Sequence, residues 1–268
     1  MFLSSINLLI KYFNFRLKSK PRGGHGIHSP FVYDLYINCI DTKQKESIFD
    51  KIEEIRKELL NNTSPISKNS LGLGSKEIDT SEPTIGRVVK RSSIPAYTGQ
   101  LLFRLSNYFK PESIIELGTS AGFSAMYLAS GHKNAKVVSI EGDGNLTKLA
   151  SANFNKLGLT NVTLINGDFD ASLPDILTNT KKIGLVFIDG NHSKEATMRY
   201  FKFISAKASS DSLIIFDDIR WSKGMENAWN NICQDENVSI SIDMFNCGLV
   251  FFRKGIVKQH FNLRYGPF

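Results

Sequence analysis

The chain predicts an α/β fold: a doubly wound, mostly parallel sheet of seven strands with an antiparallel C-terminal hairpin, preceded by a helical N-terminal extension. Short apolar runs near 113–118, 136–141, 162–167, 183–189 and 211–217 read as strands buried on both faces. Helical segments alternate with them, near 121–130, 144–157, 171–178, 193–208 and 222–233, which is the pattern of parallel crossover units. Two last runs, 238–245 and 248–253, follow with a short link and no helix between them. That predicts a hairpin at one sheet edge.

The elements before the first strand are helical. Ile6, Leu9, Ile10, Phe13 and Leu17 recur at helical spacing and predict an amphipathic helix over 3–18, its apolar stripe serving as core or as a homodimer contact. Residues 22–30 form a turn-rich link containing His25 and His28. Ser29-Pro30 caps and starts a helix through Ile40. A further helix spans 46–61. Residues 62–82 are rich in Ser, Gly and Asn and predict a mobile loop that could order over an acceptor. A helix over 95–109 leads into the first strand. The expected division is an extension of 1–94 and a ligand-binding domain of 95–268.

Length and a hydrophobic content of 41% fit one large domain with an appendage. Cys39, Cys233 and Cys247 show neither metal spacing nor a disulfide framework, so a reducing, cytoplasmic setting is expected. The apolar N-terminus lacks the order of charges of a secretory leader, and no run is long enough to span a bilayer. The net charge of +7 is unevenly placed. Residues 1–110 hold 17 basic and 10 acidic side chains, against 16 of each beyond, and the first 33 residues hold no acid. A basic arm of this kind can meet nucleic acid, an anionic surface or an acidic partner, or can be a solvated face.

The densest information lies in Ser113-Ile-Ile-Glu-Leu-Gly-Thr-Ser-Ala-Gly-Phe-Ser124. A strand, a glycine turn and a helix start aim backbone N–H groups at a ligand. Gly118 and Gly122 allow the tight turn, and Ser120 and Ser124 flank it. Glu116 precedes the turn, and Glu141 ends the next strand at the distance that suits a ribose diol. The middle glycine of a dinucleotide fingerprint is missing, which disfavours NAD and favours a nucleoside cofactor without phosphate. Acids recur at strand ends: Glu116, Glu141, Asp168, Asp189 and the pair Asp217-Asp218, where ligands of such sheets bind.

This Glu-Leu-Gly-Thr-Ser-Ala-Gly-Phe-Ser run, with the ordered acids, resembles class I S-adenosylmethionine-dependent methyltransferases, most closely the catechol-type, metal-dependent O-methyltransferases. The resemblance covers about 95–255 and implies a Rossmann-like sheet. It implies that Glu141 holds the ribose hydroxyls, that Asp168 and Phe169 face the adenine, and that Ser124 reaches the cofactor carboxylate. Thr98-Gly-Gln100 would wrap the methionine end. Asp189, Asp217 and Asp218 match the positions that hold Mg²⁺ or Ca²⁺ in metal-dependent relatives. The alternative is that Asp189 serves the cofactor alone, with Asp218 capping the next helix. His192 stands where catechol-type enzymes carry lysine and is the candidate general base.

The sequence therefore points to methyl transfer from S-adenosylmethionine to a small hydroxylated acceptor. An RNA-modifying enzyme using the basic N-terminal region and a non-catalytic cofactor-binding protein are the alternatives; nucleic acid is the less favoured partner, since residues 1–94 show no recognisable RNA-binding module.

Overall fold

The computed structural model describes residues 2–20, 25–66 and 83–266. Ten helices and eight strands are found among them. Helix α1 (Phe2–Lys18) is followed by α2 (Pro30–Leu35), which runs on into a π turn at Tyr36–Ile40, then α3 (Ser47–Leu60), α4 (Ile85–Ser92) and α5 (Ala96–Phe109). The alternating part comprises β1 (Ser113–Leu117), α6 (Phe123–Gly131), β2 (Lys136–Glu141), α7 (Gly144–Leu157), β3 (Val162–Asn166), α8 (Phe169–Asn179), β4 (Leu185–Ile188), α9 (Lys194–Ser205), β5 (Leu213–Phe216) and α10 (Lys223–Gln234). Strands β6 (Ile240–Asp243), β7 (Gly248–Phe251) and β8 (Gln259–Asn262) close the chain.

The strand order is β3-β2-β1-β4-β5-β7-β6-β8. Strands β1 to β5 pair in parallel, and β7 runs antiparallel to both β5 and β6. The order reverses between β1 and β4, which opens a crevice at the carboxyl ends of the central strands. Those strands are apolar on both faces because helices cover both. Ile115, Leu117, Val186, Ile188, Ile214 and Phe216 face a layer built on Tyr200, Phe201 and Trp229. Ile114, Leu185, Phe187, Leu213 and Ile215 face α5, α6 and the N-terminal helices.

The N-terminal helices share this second layer. Phe49 packs edge-on against Phe103 with ring centroids 4.9 Å apart, and the Tyr127 hydroxyl donates to Glu53 at 2.9 Å. Val32, Leu35, Tyr36 and Ile52 are fully buried. Burying side chains of this size stabilises by about 1.5–3 kcal/mol each, so α2 and α3 are cemented to the sheet. Ser29 caps α2 by accepting from Val32 N–H at 3.5 Å, with Pro30 in the first turn, as the sequence implies.

Several expectations are corrected. The sheet has an eighth strand, so the β6–β7 hairpin is not the edge; β8 lies outside it, parallel to β6. Gln-His-Phe-Asn is too polar and too short to signal a strand. It is held by Ser241 against the His260 ring at 2.8 Å and by Lys20 N–H to Asn262 O at 2.8 Å. Helix α4 falls where no helix is read; the Thr84 hydroxyl caps it, accepting from Arg87 N–H at 3.4 Å. The apolar stripe of α1 is not core. Leu9, Ile10, Phe13 and Leu17 are exposed, while Phe15 and Tyr12 pack on Phe245. Of the loop expected at 62–82, residues 67–82 lie outside the described residues. Its ends meet, with Ile66 N–H donating to Pro83 O at 2.9 Å and Ile85 N–H to Ser64 O at 3.0 Å. No helix among the described residues is long and apolar enough to cross a membrane.

Candidate active site

The crevice at the reversal of strand order is a pocket of about 580 Å³. Gly118, Ser120, Ser124, Glu141, Asp168, Phe169, Asp189, His192, Asp217 and Asp218 all line it. Two residues of the sequence reading stand behind the wall. Glu116 is wholly buried, and Gly122 starts α6.

The glycine turn is required by sterics. Gly118 has φ +101°, and a Cβ there would stand 2.2 Å from the Asp189 carbonyl oxygen. This close approach brings the ends of β1 and β4 together, sealed by Asp189 N–H to Leu117 O at 2.9 Å. Gly122, at φ +90°, lies against the Phe154 ring, 2.6 Å from where a Cβ would sit. The turn thus has no room for a side chain on either flank, and the N-terminus of α6 opens towards the crevice.

Glu141 ends β2 and is held by the turn itself. Ser120 N–H donates to one carboxylate oxygen at 2.7 Å, and Asp143 N–H to the other at 3.0 Å. Burial raises its pKa above the usual range against the pull of these N–H groups. Each oxygen keeps a second lone pair for a ligand hydroxyl. Behind it, Glu116 accepts from the Ser139 hydroxyl, which also meets Thr119. Its second oxygen is buried without a hydrogen-bond partner among the described residues. Burial pushes Glu116 up to about 7, against the neighbouring hydroxyls of Ser124 and Ser139. Asp168 caps α8 by accepting from Ala171 N–H at 3.1 Å, and Phe169 stands edge-on to Tyr200 at 5.9 Å.

On the β4–β5 side the acids face one another. His192 Nε2 lies 3.8 Å from Asp189 Oδ1 and 3.8 Å from Asp218 Oδ2. One ligand atom from each of Asp189, His192 and Asp218 falls within 4.8 Å of the others. Asp217 adjoins them, its Oδ1 accepting from Asp218 N–H at 3.0 Å, but it is outside this trio. No lysine or arginine among the described residues pairs with any of the three acids. Burial and mutual repulsion raise Asp189 well above the carboxylate range and push Asp217 up to about 7. Asp218 is raised by burial, partly offset by His192, and burial lowers His192. Asp218 does not cap the following helix; Ser222 does, accepting from Met225 N–H at 3.1 Å.

Three of the five described non-glycine residues with positive φ line this pocket: Ser120, Asn191 and Asp218. Such conformations cost of order 1–3 kcal/mol and persist where the surroundings impose them. Other wall residues escape the sequence reading. Arg91, Ser92, Ser93, Ile94 and Pro95 form one side, with the Ser92 and Ser120 hydroxyls 2.7 Å apart. Trp221 stacks obliquely on His192 at 5.8 Å. The segment expected to wrap the cofactor, Thr98-Gly-Gln100, lies one turn too far along. Thr98 is buried, Gly99 packs on the Tyr127 ring, and Gln100 lines a different cavity. His25 and His28 are exposed and do not line the pocket.

Residues 115–219 match the family model described as a methyltransferase domain. A catechol O-methyltransferase from Niastella koreensis is 27% identical over 130 residues, which are 47% of this chain and 58% of that protein. One from Mycobacterium tuberculosis is also 27% identical, over 48% of this chain and 58% of its own length. The chain thus matches somewhat over half the length of these relatives. Among solved structures, an O-methyltransferase from Bacillus cereus in complex with SAH aligns at TM-score 0.56 and 17% identity, covering 88% of this chain and 99% of that one. A SAH-bound methyltransferase from Podospora anserina aligns at 0.58 and 15%, over 88% and 98%. At such identities these two share the fold. With the glycine turn, the strand-end acids and the strand order, residues 115–219 match a methyltransferase domain, and the chain resembles the class I S-adenosylmethionine-dependent methyltransferases, the catechol-type O-methyltransferases among them.

Proposed function

We propose that this chain transfers a methyl group from S-adenosylmethionine to a hydroxyl of a small acceptor. One observation carries the reading: a single crevice joins a ribose-type carboxylate, Glu141 on its turn, to a converging carboxylate and imidazole group, Asp189, Asp218 and His192. Glu141 accepts from the ribose hydroxyls, Asp168 and Phe169 border the adenine, and Ser120 and Ser124 meet the amino-acid end. Glu116 is a positioning residue: it holds Ser139 and Thr119 beneath the turn.

The donor set suits a hard divalent cation such as Mg²⁺ or Ca²⁺: carboxylates converge without a basic partner, and one would otherwise have to take up a proton. Held by Asp189 and Asp218, with Asp217 adjoining them, it would hold the acceptor oxygen and lower the pKa of its hydroxyl. His192, exposed to the pocket beside Asp189, takes the acceptor's proton. S-adenosylmethionine, when bound, would supply the methyl group, its carbon–sulfur bond breaking with the electron pair left on sulfur as the deprotonated acceptor oxygen takes the carbon. Trp221, beside His192, offers a ring face to the acceptor.

The exposed stripe of Leu9, Ile10, Phe13 and Leu17 on α1 supports a homodimer through the N-terminal helices. Calorimetry with S-adenosylhomocysteine tests the cofactor assignment. The wild type binds it, and Glu141→Ala weakens it by about 2–4 kcal/mol. Unchanged affinity would remove Glu141 from the ribose.

A further inference from the structure

A second cavity of about 560 Å³ shares no lining residue with the active site. Met244 and Phe245, at the β6–β7 turn, form part of its wall; α1, the segment after the π turn, α5 and the C-terminal segment supply the rest. Four cationic side chains line it, Arg16, Lys43, Arg104 and Arg264, against one acid, Asp41.

Arg104 is the telling member. It is only 5% exposed. Its Nε donates to Cys39 O at 2.7 Å and its Nη2 to the Tyr265 hydroxyl at 3.1 Å. No carboxylate among the described residues pairs with it, and its Nη1 has no protein partner there. Arg264 repeats the arrangement: Nε donates to Ser19 Oγ at 3.1 Å and Nη2 to Arg16 O at 2.7 Å, while Nη1 has no partner among the described residues. A buried guanidinium without a counter-charge costs several kcal/mol, and arginines this deep are ordinarily paired. Here protein acceptors fix the planes of two guanidinium groups and leave one nitrogen of each unused. Arginine in this state suits an oxyanion. About half of the remaining wall is aromatic, with Tyr12, Phe15, Tyr97, Phe245 and Tyr265. Tyr97 and Tyr265 stand edge to face, centroids 5.8 Å apart. Such rings accept a planar apolar body. The volume lies within the range of small-molecule sites.

We infer that this cavity binds a small aromatic anion, a planar ring bearing phosphate or carboxylate, with Arg104 and Arg264 on the oxyanion and the tyrosine and phenylalanine rings around the body. Lys43, exposed among the lining residues, adds charge. The inference stands independently of the methyl-transfer reading. It also gives part of the basic excess of the first 110 residues a role, since Arg16, Lys43 and Arg104 come from it.

The test is titration calorimetry of the full chain with phenyl phosphate and benzoate, with phenol and inorganic phosphate as comparisons, each with and without saturating S-adenosylhomocysteine. The expected result is saturable 1:1 binding of at least one aromatic anion, undiminished by S-adenosylhomocysteine and about tenfold or more tighter than either comparison. Lys43→Glu and Arg264→Gln should each weaken it about tenfold and leave S-adenosylhomocysteine affinity within about twofold. Lys43 is exposed, so its replacement tests the site even if Arg264→Gln fails to fold. Absence of binding, equal affinity for phenol or inorganic phosphate, displacement by S-adenosylhomocysteine, or indifference to Lys43→Glu would each overturn the inference.

Discussion

The two ends of the active-site pocket treat their carboxylates in opposite ways. On the β1–β2 side, each acid is already answered by the protein: Glu141 by two backbone N–H groups, Glu116 by a serine hydroxyl. On the β4–β5 side, Asp189 and Asp218 receive no side-chain donor among the described residues nearer than the His192 nitrogen at 3.8 Å. Both ends raise carboxyl pKa values by burial and by neighbouring acids, but at the first end serine hydroxyls and backbone N–H groups pull harder the other way, whereas at the second repulsion is the largest cause after burial. The first end is organised to present fixed acceptors to neutral hydroxyls. The second holds charge that only protons or a cation can relieve.

The largest effect should separate the two ends by activity. Asp218→Ala, or a chelator on the wild type, is expected to lower turnover by about 10³-fold, the several kcal/mol that a Lewis acid supplies. Affinity for S-adenosylhomocysteine should change little. Steady-state kinetics beside calorimetry checks this. Should turnover survive chelation and vanish in His192→Ala, the contrast dissolves, and the imidazole works alone as base.

A smaller effect concerns pH. Glu116 titrates near 7 in the fold against an ordinary 4.5. A carboxyl raised in this way favours the folded state below its unfolded pKa, and that advantage is lost as pH rises through about 7. Stability without ligands should therefore fall by roughly 2.5 kcal/mol between pH 5 and 8 from this group, read as a drop in Tm of several degrees. Glu116→Gln should flatten that slope. An equally steep slope in the variant would show that Glu116 is not its source.

Glu141→Gln sharpens the first end. The amide keeps the shape but weakens acceptance from Ser120 and Asp143 N–H and from a ribose diol, so S-adenosylhomocysteine should bind about 30-fold less tightly. Calorimetry against Glu141→Ala separates lost charge from lost contact. The smallest effect is Trp221→Ala, expected to raise KM for an aromatic acceptor by roughly three- to tenfold, the worth of one ring contact, with cofactor affinity unchanged. A matching loss of cofactor binding would move Trp221 to the other end.

Much of this was legible in the residues. The five parallel strands, their helices and the acids at their ends follow from period and punctuation, because a parallel sheet buries both faces and leaves polar residues only where strands end. The edges were not legible. Strand β8 is a polar tetrapeptide whose conformation comes from pairing with β6, and α4 is set by a cap and by contacts with residues 60–62. The wall at Arg91–Pro95 was misplaced by one turn because nothing local marks which turn meets the glycine loop.

The apolar pattern and residue spacing alone fix the sheet core, the turn at Gly118 and the order of strand-end acids. Each rests on backbone sterics or on short-range apolar pattern, which neighbours in the chain decide. Folding was needed to bring His192 to both Asp189 and Asp218, to set Asp217 beside that trio, and to place Arg104 with Arg264 in a second cavity without a carboxylate partner among the described residues. These juxtapositions join residues from strands, helices and the C-terminal segment far apart in the chain. Charge and burial act through space, and the fold alone sets those distances.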